Sequence, residues 1–164
     1  MSAERFIEAC GEGKLSEVQD MVKEGVDIDI EGERGARGLL SALIRERFEV
    51  ATWLLSQEGV DTNWKHPEME GRSYLHLACM SGSPVEVVTK LLETMDTELV
   101  NAKHDGGKTA LDVAVSDHDK GGFDSENGHE RQGPIVEVLA GREEITWDLE
   151  RLEEVARLVG TLYC

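Results

Sequence analysis

Three residues with nucleophilic or proton-transfer chemistry lie within six positions of one another: His76, Cys79 and Ser81. On a helix, His76 and Cys79 would share a face, so the imidazole could activate the thiol. Such a pair would belong to a small cysteine/histidine-dependent hydrolase or transferase. The sequence offers no third group to orient the histidine and no oxyanion-hole segment beside it. A structural role is therefore the competing interpretation, and it depends on which elements position these residues.

The chain of 164 residues is strongly acidic, with 34 acids against 17 bases and a formal net charge of −17. This charge repels nucleic acid and anionic membranes, so we expect neither as a partner, and it favours proteins with a basic surface. The three cysteines show no paired spacing, and no apolar run long enough for a membrane span is present. We therefore expect a cytoplasmic or nuclear protein.

An internal repeat organises most of the sequence. The tripeptide Gly-Val-Asp occurs at residues 25–27 and again at 59–61, each time after an amphipathic helical pattern. Leu40, Leu75 and Leu111 recur at spacings of 35 and 36 residues. This period predicts stacked helix–turn–helix units joined by polar loops. The predicted units span residues 1–35, 36–70, 71–104 and 105–141.

The third unit resembles an ankyrin repeat, through Tyr74-Leu75-His76-Leu77-Ala78 and Val100-Asn101-Ala102, and the resemblance extends over residues 4–140. It implies an all-α ankyrin-repeat solenoid with finger loops, whose function is non-enzymatic protein–protein interaction without a cofactor. It also implies that the histidine at 76 ties neighbouring turns together. In the other units, we assign the position equivalent to His76 to Ile7, Ser41 and Asp112, so the sequence departs from the family pattern there.

The repeat gives the thiols a structural interpretation. Cys10 and Cys79 occupy the same register, each directly after an alanine. A small thiol packs well where two helices approach closely, and a buried thiol is inert. We therefore expect both to be buried between units, whereas Cys164, near the end of the sequence, is expected to react.

The last segment, residues 142–160, has the pattern of one amphipathic helix. Its apolar residues recur at steps of three and four: Ile145, Leu149, Leu152, Ala156 and Val159. We interpret it as a C-terminal helix that caps unit four within a single domain, residues 1–164. The alternative is a helix that binds a partner.

Residues 116–134 read as an insertion between the two helices of unit four. Asp117 and Asp119 imitate the start of a calcium loop, but glycines at 121 and 128 stand where further ligands are required. We expect a mobile solvated loop and predict no metal site. A partner-contact loop, or a cation-responsive regulator acting through this loop, remains the alternative.

Trp64 stands in a loop where an aromatic residue would have little core to pack against, so we expect it to be an exposed binding hot spot. The alternative is that it packs on a neighbouring finger. The chain is then an adaptor or inhibitor-like signalling module that binds a basic protein surface. The predicted partner-binding residues are Trp64, Lys65, His66, Tyr74, His104 and Asp105 on the fingers, and Arg45, Glu46 and Met80 on the first helices.

Asn63 closes the loop before Trp64 and resembles the asparagines that asparaginyl hydroxylases modify in ankyrin proteins. It is therefore a possible modification site. The alternative is that its side chain caps the backbone of the turn.

Overall fold

A computed structural model describes residues 2–120, 128–143 and 145, and this part of the chain is helical, with one isolated antiparallel bridge between Lys65 and Ser73. A single turn of 3₁₀-helix lies at Glu33–Gly35. The α-helices are α1 (Ala3–Glu12), α2 (Leu15–Lys23), α3 (Gly38–Ile44), α4 (Phe48–Leu55), α5 (Tyr74–Met80), α6 (Val85–Thr94), α7 (Thr97–Val100), α8 (Ala110–Lys120) and α9 (Gly128–Ala140).

The helices form two layers. The first helices of successive pairs pack side by side in the order α1, α3, α5 and α8, and the second helices in the order α2, α4, α6 and α9. Each pair exposes an apolar stripe that only its neighbour covers, so one core runs through the stack. This is the all-α solenoid that the repeat predicts.

The turns that close the first helices set the register of the repeat. Ala42 and Ala78 each accept the backbone N–H of the residue five positions on, at 2.7 and 3.0 Å, so these turns are equivalent and 36 residues apart. Counting back from them, Leu39 is equivalent to Leu75. The expected alignment of Leu40 with Leu75 is wrong by one residue, because unit two begins one residue earlier than its apolar pattern suggests.

The start of α5 is capped by His76, whose Nδ1 accepts the Ser73 backbone N–H at 3.3 Å. A carboxylate caps the start of α8 in the same way, since Asp112 Oδ2 accepts the Thr109 N–H at 2.8 Å. In unit two the equivalent residue is Leu40, which has no polar atom for a cap. The assignment of Ser41 to this position is therefore wrong.

Cys10 and Cys79 are both buried, as predicted, at 0% exposure. Each lies one residue after the alanine that accepts the turn hydrogen bond, so they occupy the same place in α1 and α5. Burial raises the pKa of Cys10 to about 12, which leaves almost no thiolate at neutral pH.

The insertion is shorter than expected. Helix α8 continues to Lys120 and α9 begins at Gly128, so residues 116–120 and 128–134 are helical and a loop over the whole of 116–134 is wrong. Residues 121–127 lie outside the described part. The predicted cap, 142–160, also lies outside it except for Arg142, Glu143 and Ile145, and Ile145 is buried.

Imidazole side chains fix the second and third fingers, residues 64–72 and 102–108. His66 Nδ1 accepts the backbone N–H groups of Glu68 and Met69, both at 3.0 Å. His104 Nδ1 accepts the Gly106 N–H at 2.9 Å. These bonds require a neutral ring with Nδ1 unprotonated.

His76 joins unit three to the third finger. Because its Nδ1 accepts from Ser73, its Nε2 carries the proton and donates to the Lys108 carbonyl at 3.1 Å. The ring also meets the His104 ring edge-on, with centroids 5.4 Å apart. Burial lowers the pKa of His76 to about 4 and lowers the pKa of His66.

These groups predict a loss of stability on acidification. In the unfolded chain, the His76 side chain has a pKa of about 6.5. Below this pH it is protonated in the unfolded chain but stays neutral in the folded protein. The contribution of His76 to the free energy of unfolding is therefore fully present above about pH 6.5. It decreases as the pH approaches 4, by roughly 3 kcal/mol. Asp29, whose pKa burial raises, acts in the opposite direction.

The measurement is urea unfolding at pH 7.5, 6 and 5, for the wild type and for His76→Gln. The variant is less stable at pH 7.5, but it should lose less stability between pH 7.5 and 5, because the titrating group is gone. Equal losses in both proteins would assign the acid sensitivity to other groups.

Candidate partner-binding groove

An apolar groove of about 160 Å³ opens between the ends of α3 and α5 and the second finger. The finger contributes Met69, and Ile44 on α3 is 50% exposed, the only large hydrophobic residue with such exposure in the described ranges. Its lining residues are Ile44, Glu46, Met69, Leu77, Met80 and Ser81. A cavity of this size accepts one benzene-sized group.

The structure divides the predicted partner-binding residues into two classes. Glu46 and Met80 line the groove, and Arg45 lies exposed beside Glu46 at the end of α3. Lys65 and Asp105 are exposed on the fingers. Trp64, His66, Tyr74 and His104 are buried.

Sequence reasoning missed three lining residues: Ile44, Met69 and Leu77. With the register corrected, Ile44 in α3 is equivalent to Met80 in α5 and to Gly11 in α1. Large apolar side chains at the same position of neighbouring units, one exposed and one partly buried, favour a binding surface. The one-residue error in unit two concealed it.

Trp64 is part of the stack. It is 9% exposed, its ring stacks on Tyr74 with centroids 5.1 Å apart, and the guanidinium of Arg37 lies 5.0 Å above it. The expectation that Trp64 is an exposed aromatic is therefore wrong. The alternative, that Trp64 packs within the protein, is correct, although its apolar neighbour is Tyr74 at the start of α5 and not a neighbouring finger.

Ion pairs hold Arg37 above the indole. Its guanidinium bonds the Asp61 carboxylate at 3.1 Å and the Glu31 carboxylate at 3.4 Å, so it connects the first two units. The Arg37 side chain is only 14% exposed, which lets the cation–π contact with Trp64 operate with little screening.

Carboxylates on the second finger are also paired within the protein. Glu68 bonds Arg34, which lies in the 3₁₀ turn at Glu33–Gly35, at 2.9 Å, and Glu70 bonds Arg72 at 2.8 Å. These surface pairs orient the finger tips more than they stabilise the fold. They also reduce the negative field at this finger.

The cluster of His76, Cys79 and Ser81 is structural. Both ring nitrogens of His76 are engaged, by Ser73 and by the Lys108 carbonyl, and His76 and Cys79 are both at 0% exposure. Ser81 donates to the Ala78 carbonyl at 3.3 Å. No substrate can reach a thiol in this setting without unfolding the unit.

Asn63 connects two units through its side chain. Its Oδ1 accepts the Asp96 backbone N–H at 2.8 Å, while its own N–H donates to Asp61 at 3.1 Å. In the preceding unit, Asp29 accepts the Asp61 N–H at 2.8 Å in the same way. A turn-capping role therefore accounts for Asn63, and its hydroxylation stays a prediction.

Among the described residues, no group of three or more His, Cys, Asp or Glu side chains is placed to hold a metal ion. Within the same ranges, no helix is long and apolar enough to cross a membrane.

The packing of Trp64 predicts its contribution to stability. Trp64→Ala should lower the free energy of unfolding by about 3 kcal/mol, since it removes the ring contacts with Tyr74 and Arg37. Trp64→Phe should cost less than half of this. Urea unfolding measures both changes. A loss under about 1 kcal/mol in the free energy of unfolding of the alanine variant would contradict the packing role and favour a role of Trp64 in binding.

Comparisons with known proteins agree with this architecture. A family model described as "Ankyrin repeats (3 copies)" matches residues 6–101 and, in a second alignment, residues 39–122. No curated protein matches the chain. Since the two alignments together cover most of the sequence, including all the helices from α3 to α7, this chain belongs to the ankyrin-repeat family.

Proposed function

We propose that this protein binds a protein partner through the groove between α3, α5 and the second finger. Ankyrin repeats are generally protein–protein interaction modules. The observation that carries the proposal for this chain is the exposed Ile44 at the mouth of an apolar groove. Met69 and Met80 on its walls adapt to the shape of an entering side chain.

The partner that suits this surface has a basic character. Among the described residues, the groove is lined by one acid, Glu46, and by no lysine or arginine, and the chain carries a formal net charge of −17. Opposite charge raises the association rate and selects the partner more than it raises affinity. Adaptor or inhibitor-like signalling roles are compatible with this chemistry, whereas nucleic acid is repelled.

We include Arg45, Lys65 and Asp105 in the proposed surface, because all three are exposed and Arg45 lies directly beside Glu46. His66, Trp64, Tyr74 and His104 support it from beneath by fixing the fingers. Thiols at Cys10 and Cys79 suit a cytoplasmic or nuclear setting, where they stay reduced.

We propose a non-enzymatic role. The thiol-enzyme hypothesis needs a reactive Cys79, but the side chain is buried and both nitrogens of His76 are engaged elsewhere. Ankyrin-repeat proteins are typically non-enzymatic.

A labelling experiment separates the two hypotheses. With iodoacetamide at pH 7.5, Cys79 of the folded protein should react at least about a hundredfold more slowly than in urea, because modification requires local unfolding. The thiol introduced by Ser16→Cys on the exposed surface of α2 is the matched control, and peptide mapping by mass spectrometry gives each rate. Labelling of Cys79 as fast as this control would revive the enzyme hypothesis.

Ile44→Asp tests the groove itself. A charge at its mouth should weaken partner binding by about thirtyfold or more, as expected for loss of a hot spot of about 2 kcal/mol. Because Ile44 is half exposed, the free energy of unfolding should change by less than about 1 kcal/mol. The assay is affinity purification with quantitative mass spectrometry, followed by titration calorimetry with the recovered partner.

Ser16→Asp is the matched control, because it adds the same charge to an exposed site in the other layer. It should retain the partner. If both variants bind it as well as the wild type does, the groove is not the binding site.

A further inference from the structure

Equivalent turns end the first helices of three units, and unit two differs from the other two at the position with positive φ. The backbone N–H groups of Gly13, Glu46 and Gly82 donate to the carbonyl three residues before them, at 3.2, 3.1 and 3.3 Å. All three have positive φ, at 79°, 55° and 59°. Unit two thus places a glutamate at a left-handed position that glycine occupies in units one and three.

A glutamate in this conformation costs stability. The left-handed region brings the Cβ of an L-residue close to the following carbonyl oxygen, and glycine has no such contact. Non-glycine residues held in such backbone positions are concentrated at functional sites. Glu46 agrees with this trend, since its exposed side chain lines the apolar groove.

We propose that Glu46 is the specificity residue of the groove, and that it selects a partner segment in which a lysine or arginine lies close to a large apolar side chain. The apolar side chain enters the space between Ile44, Met69 and Met80, and the cation pairs with the Glu46 carboxylate at the rim. This inference rests on the proposed function, and it adds the chemistry that the partner must present.

The size and charge of the groove define this occupant. About 160 Å³ holds one aromatic ring or one large aliphatic side chain. In the part of the chain that the structure describes, the only charged lining residue is an acid, which is complementary to a single cation. A second copy of this chain is a poor occupant, because two molecules of formal net charge −17 repel each other.

A displayed library of random 12-residue peptides provides the probe. Peptides selected on the wild type are synthesised with a fluorophore, together with versions in which the lysine or arginine is replaced by glutamine. Their dissociation constants are measured by fluorescence anisotropy at 50 and 300 mM salt. The protein variants are Glu46→Gln, Glu46→Gly, Ile44→Asp and, as a matched loss of an exposed carboxylate on α4, Glu49→Gln.

The expected peptides combine a large apolar residue with a lysine or arginine within about three positions. Glu46→Gln and Glu46→Gly should weaken their binding roughly three- to tenfold at 50 mM salt, and less at 300 mM. For the glutamine versions of the peptides the two variants should bind as the wild type does. Glu49→Gln should change neither.

Thermal unfolding of Glu46→Gly supplies a second readout. We expect its melting temperature to equal that of the wild type or to exceed it by a few degrees, because glycine relieves the backbone conformation. A clear fall in melting temperature would show that Glu46 is retained for the fold, and would overturn the inference.

The other outcomes separate two kinds of failure. If Ile44→Asp abolishes binding but Glu46→Gln matches Glu49→Gln, the groove is correct and the role of Glu46 is wrong. If Ile44→Asp binds the peptides normally, the groove and this inference both fail. Sedimentation showing a wild-type dimer that Ile44→Asp dissociates would assign the groove to a second copy and overturn the inference.

Discussion

The stack depends on one contact, the apolar packing of each first helix on the first helix of the next unit. A pair such as α3 and α4 cannot bury its own stripe, so its stability comes from α1 on one side and α5 on the other. Close approach demands small residues at the contact, and Gly38 illustrates this, since a Cβ there would lie 2.8 Å from the Phe6 ring and 2.9 Å from the Cys10 sulfur. The same demand explains why Cys10 and Cys79 follow alanines.

Much of the fold could be predicted from the sequence, because the same residue pattern occurs in several units. The helix pairs and the buried thiols are visible as positions that recur, whereas the role of His76 was implied by the family resemblance and the cap at Asp112 was not predicted. The error in unit two arose where recurrence is weakest. Leu39, Leu40 and Leu43 form an apolar cluster that fits two registers, and only the backbone turn at Ala42 decides between them.

The proposed binding site was less predictable, because it depends on how loops fold back. A tryptophan in a loop reads as exposed, yet Trp64 is covered by Tyr74 from the following helix and by Arg37 from the preceding unit. No local pattern contains both contacts. Conversely, Ile44 reads as a core residue of an apolar helix, but it lies at the last turn of α3, where the groove leaves it half exposed.

Rigidity of the fingers gives the groove its shape before a partner arrives. The second finger carries Met69 into the groove, and this finger is held by the His66 ring, by the ion pair to Arg34 and by the Asp105 N–H donating to the Glu70 carbonyl at 2.8 Å. A wall that is already ordered costs little conformational entropy on binding. The adaptable methionines then adjust to the entering group while the backbone stays in place. The residues that fix the fingers therefore also give the groove its shape, so the selectivity of the proposed binding site depends on the few side chains at its rim.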